Sequence, residues 1–194
     1  MNHNARAPAD PATIWTIGHS TQGLEAFLEL LAQHGVQGIA DVRRFPGSRR
    51  HPQFGEAALR GALAEQGIAY LWLPELGGRR QARADSPNRG WRNPSFRGYA
   101  DHLGSREFAQ GLQRLLAFAK QQPSALMCAE RLWWQCHRSL IADVLRLRGI
   151  AVIHILDAAH SVVHPYTAPA RIIDGQLRYP AEQPGAALQG DLFS

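Results

Sequence analysis

Three stretches of the chain end a helical pattern on a glycine and pass at once into an apolar run: FLELLAQHGVQGIADV around Gly35, ALRGALAEQGIAYLWL around Gly67 and LIADVLRLRGIAVIHI around Gly149. A helix that closes on a left-handed residue favours glycine, which has no Cβ to clash there. Leu24, Phe27, Leu28 and Leu31 fall at helical spacing, as do Leu140, Val144 and Leu147. Each stretch therefore predicts a helix running straight into a strand. TIWTIG (13–18) and SALMCA (124–129) add further short apolar strands. Strands alternating with helices in this way predict a mainly parallel sheet flanked by helices, a three-layer α/β fold. The joints are irregularly spaced, so this is not a repeat protein.

At 194 residues, with 45% hydrophobic and 19% charged content, the chain suits one globular domain with a sizeable core. We expect a disordered N-terminus over 1–12, a single α/β domain over 13–180 and a flexible C-terminal tail over 181–194. The opening MNHNARAPADPAT has no apolar signal core, and nothing resembles a membrane span. That predicts a soluble, cytoplasmic protein with no membrane partner. Segment 77–105, rich in Arg, Gly and Pro, breaks the helix–strand rhythm and predicts a long loop or lid. After residue 160 the chain reads as tail-like, although Asp174-Gly175, between two short apolar runs, signals a type I′ hairpin.

In an open parallel α/β sheet, ligands bind beyond the C-terminal ends of the strands. The first strand ends in Gly18, His19, Ser20 and Thr21, and the second in Asp41, Arg43 and Arg44. Glu75 follows the third, and Cys128 and Glu130 close the strand at 124. Each has a purely structural alternative. Ser20 or Thr21 caps the next helix, Asp41 and Arg43 form an ion pair, His19 is a satisfied structural histidine, and Cys128 is a small buried apolar residue. Convergence on one sheet edge favours a site.

A second concentration of chemistry lies in CAERLWWQCHRS (128–139). A helix starting near Arg138 or Ser139 puts Cys136 and His137 at its N-terminus. Free backbone N–H groups and the helix dipole there lower a thiol pKa or cradle an anion. Two cysteines are too few for a disulfide framework, so they read as thiols, ligands or catalysts, with reversible pairing open to them. Cys128, Cys136, His137 and Glu130 offer a metal site as a lesser alternative, while no metal and no cofactor is the expectation. C-x7-C-H matches no common zinc spacing, and adjacent Cys136 and His137 are awkward ligands for one ion. The net charge is +5 and Lys120 is the only lysine. That balance points to an anionic partner held by arginine, or else to arginine-biased codon usage.

The order strand, Cys128, loop, Arg138-Ser139, helix is distantly similar to the anion-wrapping loops of rhodanese-like sulfurtransferases and cysteine phosphatases. ADVR at 40–43 is likewise similar to a rhodanese strand end. The loop departs from both: C-x9-R is longer, lacks glycine and carries Trp133 and Trp134. Far more closely, TIGHST, DVRRFPGSRRHPQF, LPELGG and CAE…WWQCHRSLIAD resemble the bacterial domain of unknown function 488 family, over about residues 13–180. The resemblance implies a cytoplasmic α/β protein and little about its reaction. The polar positions it shares are His19, Ser20, Asp41, Arg43, Glu75, Cys128, Glu130, Cys136, His137 and Arg138, with Pro46 beside them. Near the C-terminus, QGDLF (Gln189, Asp191, Leu192, Phe193) is similar to the peptide with which bacterial replication and repair proteins bind the sliding clamp. Its structural alternative is a tail packed back on the domain.

The expected function is an enzyme with a cysteine-containing site that acts on a phosphate-bearing substrate, a nucleotide or nucleic acid, in DNA maintenance. The catalytic candidates are Cys128, Glu130, Cys136, His137, Asp41 and His19. Ser20, Arg43, Arg44, Glu75 and Arg138 are candidates to hold substrate, and Trp91, Trp133 or Trp134 to stack on a base. The Arg-rich stretch 79–97 is expected to contact phosphate when ligand is bound. The alternatives are a rhodanese-like sulfurtransferase or thiol redox protein, and a non-catalytic nucleic-acid-binding adaptor.

Overall fold

The structure, a computed structural model, describes residues 10–47 and 49–181. In chain order its regular elements are β1 Thr13–Gly18, α1 Leu24–Gln33, β2 Gly38–Asp41, α2 Glu56–Glu65, β3 Ala69–Trp72, α3 Pro94–His102 and α4 Arg106–Ala119. Then come β4 Ser124–Cys128, α5 Arg138–Leu147, β5 Ala151–Ile155, β6 Ser161–Val163, β7 Arg171–Ile173 and β8 Gln176–Arg178. The main sheet has the order β3-β2-β4-β1-β5-β6. The first five strands are parallel, and β6 runs antiparallel to β5.

The three glycine joints form as the sequence predicts. Gly35, Gly67 and Gly149 take φ of 62°, 68° and 81°. In each, the following residue returns its N–H to a carbonyl in the last helical turn: Val36 to Leu31, Ile68 to Leu63 and Ile150 to Leu145. This is the Schellman closure, which satisfies helix-end carbonyls and releases the chain directly into a strand. Alternation along the strands then feeds two cores. Phe27, Leu31, Leu59 and Leu63 of α1 and α2 pack on Ile17, Ile39 and Met127. Tyr99, Leu115, Leu140 and Ile141 of α3, α4 and α5 pack on Ile14, Ala40 and Leu126 on the other face. Each fully buried leucine or phenylalanine contributes about 1.5–3 kcal/mol.

The turn between β7 and β8 has positive φ at Asp174 (51°) and Gly175 (72°), the I′ pattern expected. Three expectations are corrected. Segment 77–105 is not a continuous loop or lid, because it contains α3, started by Asn93, whose side chain accepts from the Ser95 N–H, with Pro94 in the first turn. Its preceding stretch is tied down: Asp101 accepts from Arg83 N–H, the Ser86 hydroxyl and the Asn88 amide, while Arg80 pairs with Glu107. Strand β6 lies where the sequence reads as tail. Neither Ser20 nor Thr21 caps α1, whose N-cap is Gly23 with no side-chain bond.

Among the described residues, no helix is long and apolar enough to cross a membrane. Asp10, just ahead of β1, pairs with Lys120 and Arg148.

Strands β1 and β4 are neighbours, with Gly18 level with Cys128. β1 leads to α1 on one face and β4 leads to α5 on the opposite face. Adjacent strands whose connections diverge open a crevice at their carboxyl ends.

Candidate active site

At that crevice, the N–H groups of His19 and Ser20 donate to the carbonyls of Cys128 and Ala129, carrying the β1–β4 ladder past the strand ends. Gly18 lies so close to the next loop that a Cβ there would sit 1.9 Å from the Glu130 carbonyl oxygen. A cleft of about 450 Å³ opens above, bordered by His19, Ser20, Thr21, Arg43, Arg44, Phe45, His51, Arg79, Cys128, Glu130 and His137. Its wall carries the guanidiniums of Arg43, Arg44 and Arg79 against the single carboxylate of Glu130. Ser20 (φ 47°) and Arg79 (φ 61°) are left-handed non-glycine residues, and both border this cleft. Such conformations cost of order 1–3 kcal/mol and concentrate at functional sites.

Arg43 is fixed from behind. Its Nε and Nη2 donate to the Asp41 carboxylate, its Nη1 donates to the Phe54 carbonyl, and the same Nη1 lies 3.3 Å from His19 Nε2. Asp41 is fully buried and takes a further bond from the Tyr70 hydroxyl. Burial opposes the charge of Arg43, but Asp41 outweighs it and holds the guanidinium above its ordinary pKa. His19 stacks on Phe54 at 4.2 Å and sets its Nδ1 3.0 Å from the Ser20 carbonyl. Nδ1–H thus donates, and Nε2 offers its lone pair to Arg43. Burial first, and Arg43 second, lower the His19 pKa to about 4, so the ring is neutral at pH 7.

The two cysteines are free and buried, 7% (Cys128) and 2% (Cys136) exposed, and only Cys128 reaches the cleft. Burial opposes ionisation of Cys136, but a hydrogen bond with Cys128, His137 and Arg138 together bring its pKa well below the ordinary thiol value. Cys128 moves the other way, raised by its bond to Cys136 and by burial. The pair is thus polarised in opposite senses, Cys136 toward the thiolate and Cys128 toward the thiol. The compensating cation is Arg138, 1% exposed, whose Nε donates to Cys136 Sγ at 3.4 Å and whose Nη2 donates to the carbonyls of Glu130 and Arg131. Among the described residues it has no carboxylate partner. His137 Nε2 donates to the Val42 carbonyl, leaving Nδ1 3.6 Å from Cys136 Sγ.

Behind Arg138 runs a buried chain that sequence reading misses. Arg138 Nη1 donates to Thr16 Oγ1, which lies 2.6 Å from His154 Nδ1. His154 Nε2 is 2.9 Å from His164 Nδ1, and His164 Nε2 is 2.9 Å from Asp143. Thr167 and Tyr179 donate to the same carboxylate. Trp133 stacks flat on His154 at 4.3 Å. The signal for it was thin: one Asp on the apolar face of α5 and one His inside the apolar run of β5.

The structure thus brings His19, Ser20, Arg43, Arg44, Cys128, Glu130 and His137 to one cleft, with Asp41, Cys136 and Arg138 directly behind. It does not bring Glu75 there, since that carboxylate turns to Arg114 of α4. Nor does it bring Trp91, which packs between Phe96 and Tyr179. Trp133 lies over His154, and half-exposed Trp134 rests edge-on against it. Of the Arg-rich stretch 79–97, only Arg79 borders the cleft. Gln189, Asp191, Leu192 and Phe193 lie outside the described residues.

A family model described as a domain of unknown function, DUF488, matches residues 23–145. No curated protein and no solved structure matches the chain.

Proposed function

The chain belongs to the DUF488 family, a domain of unknown function, and from that premise we propose that it is an enzyme that binds a phosphate-bearing substrate, a nucleotide or nucleic acid, in the strand-end cleft. The observation that carries this reading is the cleft wall: Arg43, Arg44 and Arg79 face a single carboxylate, above a floor holding Cys128 and His137. Arginine forks match phosphate oxygens in pairs. Arg43 is held rigid by Asp41, and Arg79 has no ion-pair or hydrogen-bond partner among the described residues, leaving its guanidinium for a ligand. Glu130 then stands at the cleft as general acid or base. The test is turnover of a panel of nucleotides and single-stranded DNA by the full chain. Glu130→Gln and Cys128→Ser should cut kcat by about 10²–10⁴-fold, while Arg44→Ala and Arg79→Ala should chiefly raise KM. Failure to bind or convert any phosphate-bearing compound counts against the reading.

A second reading, thiol redox or sulfur transfer, draws on the thiol–thiolate pair of Cys128 and Cys136. Oxidised glutathione would then drive a Cys128–Cys136 disulfide, detectable as loss of two titratable thiols. We further infer that QGDLF tethers the protein to a sliding clamp, placing the activity in DNA maintenance. Truncation after Leu188 should abolish clamp binding and leave the fold's melting temperature unchanged.

A further inference from the structure

We propose that Cys128, Cys136 and His137 form a metal centre, a Cys2His site for zinc or a similar thiophilic divalent cation, whose open coordination position faces the cleft. The Sγ atoms of the two cysteines and a ring nitrogen of His137 all lie within 4.8 Å of one another. Cys136 Sγ and His137 Nδ1 are 3.6 Å apart. A tetrahedral zinc with ordinary bonds to sulfur and nitrogen separates two such ligand atoms by about 3.5 Å. Adjacent residues normally diverge, which is why the sequence argued against this site. Here the backbone turns between them: Cys136 is extended (φ −128°, ψ 146°) and His137 helical (φ −56°, ψ −15°), so the two side chains converge.

The surroundings are those of a metal site rather than of three chance neighbours. His137 gives its Nε2–H to the Val42 carbonyl, which fixes the tautomer with the Nδ1 lone pair turned toward the sulfurs. That outer-shell bond is what a ligating histidine almost always makes. Arg138 donates an N–H to Cys136 Sγ, as suits a metal-bound thiolate, and it is buried with no carboxylate among the described residues to balance it. Both sulfurs bind as thiolates, and any thiol proton passes to solvent. The cation, two thiolates and Arg138 then leave one net positive charge at the base of an arginine-walled cleft. Cys128 and His137 border that cleft while Cys136 sits behind them. A fourth position therefore opens toward Glu130 and His19, free for water or a substrate oxygen, the arrangement of catalytic rather than structural zinc. The role of that position, polarising a phosphoryl oxygen, rests on the function proposed above. The metal site itself does not.

The test is made on the full chain, stripped with chelator under reductant and titrated with zinc alone against a chromophoric competitor, then with cobalt alone. The expected result is one metal per chain, with a sulfur-to-cobalt charge-transfer band that falls to about half in Cys128→Ser. Outer-shell changes at metal sites cost about 10–100-fold in affinity, so Cys136→Ser and His137→Asn should lose at least 100-fold. If Cys136→Ser fails to fold, the cobalt spectrum of the wild-type chain and of Cys128→Ser decides. No stoichiometric binding, or binding unchanged when both cysteines are serine, overturns the proposal. Oligonucleotide binding by the stripped chain is measured alongside. If it survives while zinc is refused, the metal centre alone fails. If zinc binds and no phosphate-bearing ligand does, the functional reading alone fails.

Discussion

Asp41 and Arg43 show at the scale of single residues how a buried charge is made usable. The pair is legible in the sequence, ADVR at a strand end, but its partners are not: Tyr70, the Phe54 carbonyl and His19 come from three other segments. Removing one member of such a pair leaves the other charged and unpaired, which typically costs about 3–5 kcal/mol. Asp41→Asn should therefore lower the urea midpoint by that equivalent and also weaken anion binding, since Arg43 loses its fixed orientation. Gly18→Ala should fail outright, because its Cβ would occupy the Glu130 carbonyl. Protons act on the same residues. Burial lowers His19 to about 4 and His154 to about 2, both from 6.5. Between those values and pH 6.5 the unfolded chain holds protons that the folded chain does not. Stability is thus complete above pH 6.5 and is lost on acidification below it, by about 2 kcal/mol for each ring at pH 5. Urea unfolding at pH 7 and pH 5 checks this, and equal stability at the two would contradict the buried neutral rings.

The elements differ in how clearly they announce themselves. The helix–glycine–strand joints are local: the spacing of Leu24, Phe27 and Leu31, the left-handed Gly35 and the β-rich run that follows all lie in one window. Strand β6 has three exposed residues and exists because β5 offers it backbone partners, which no local pattern records. Helix α3 hides behind Pro94 and Gly98. The glycine is needed because a Cβ there would meet the Arg80 carbonyl at 2.4 Å. The strand-end rule placed His19, Arg43, Cys128 and Glu130 from topology alone, and misplaced Glu75 because a 3-10 turn at Pro74–Leu76 sends it to α4. The chain from Arg138 to Asp143 needs β1, β5, α5 and the segment after β6 together, so it is invisible until the elements assemble. Thr16→Val removes the hydroxyl that joins Arg138 to His154 and leaves Arg138 Nη1 and His154 Nδ1 unpaired. A loss of about 1–3 kcal/mol is expected, with the Cys136 thiolate titrating at higher pH by ultraviolet absorbance as Arg138 loosens. Thr16→Ser should restore both.

For the whole molecule, a net charge of +5 carried almost wholly by arginine says only that anions are welcome. The fold decides where. Divergent connections from β1 and β4 open a cleft, Asp41 and Glu107 tether two of its arginines, and the strained Arg79 completes the wall. The most direct test of that claim is the salt dependence of single-stranded oligonucleotide binding, read by fluorescence anisotropy for the wild-type chain and for Arg44→Ala Arg79→Ala. Each phosphate contact to a single strand contributes about 0.7 to the slope of log K against log salt. The account predicts weaker binding and a slope smaller by about 1.4 in the double variant. Unchanged affinity and slope would place the anion elsewhere and contradict it.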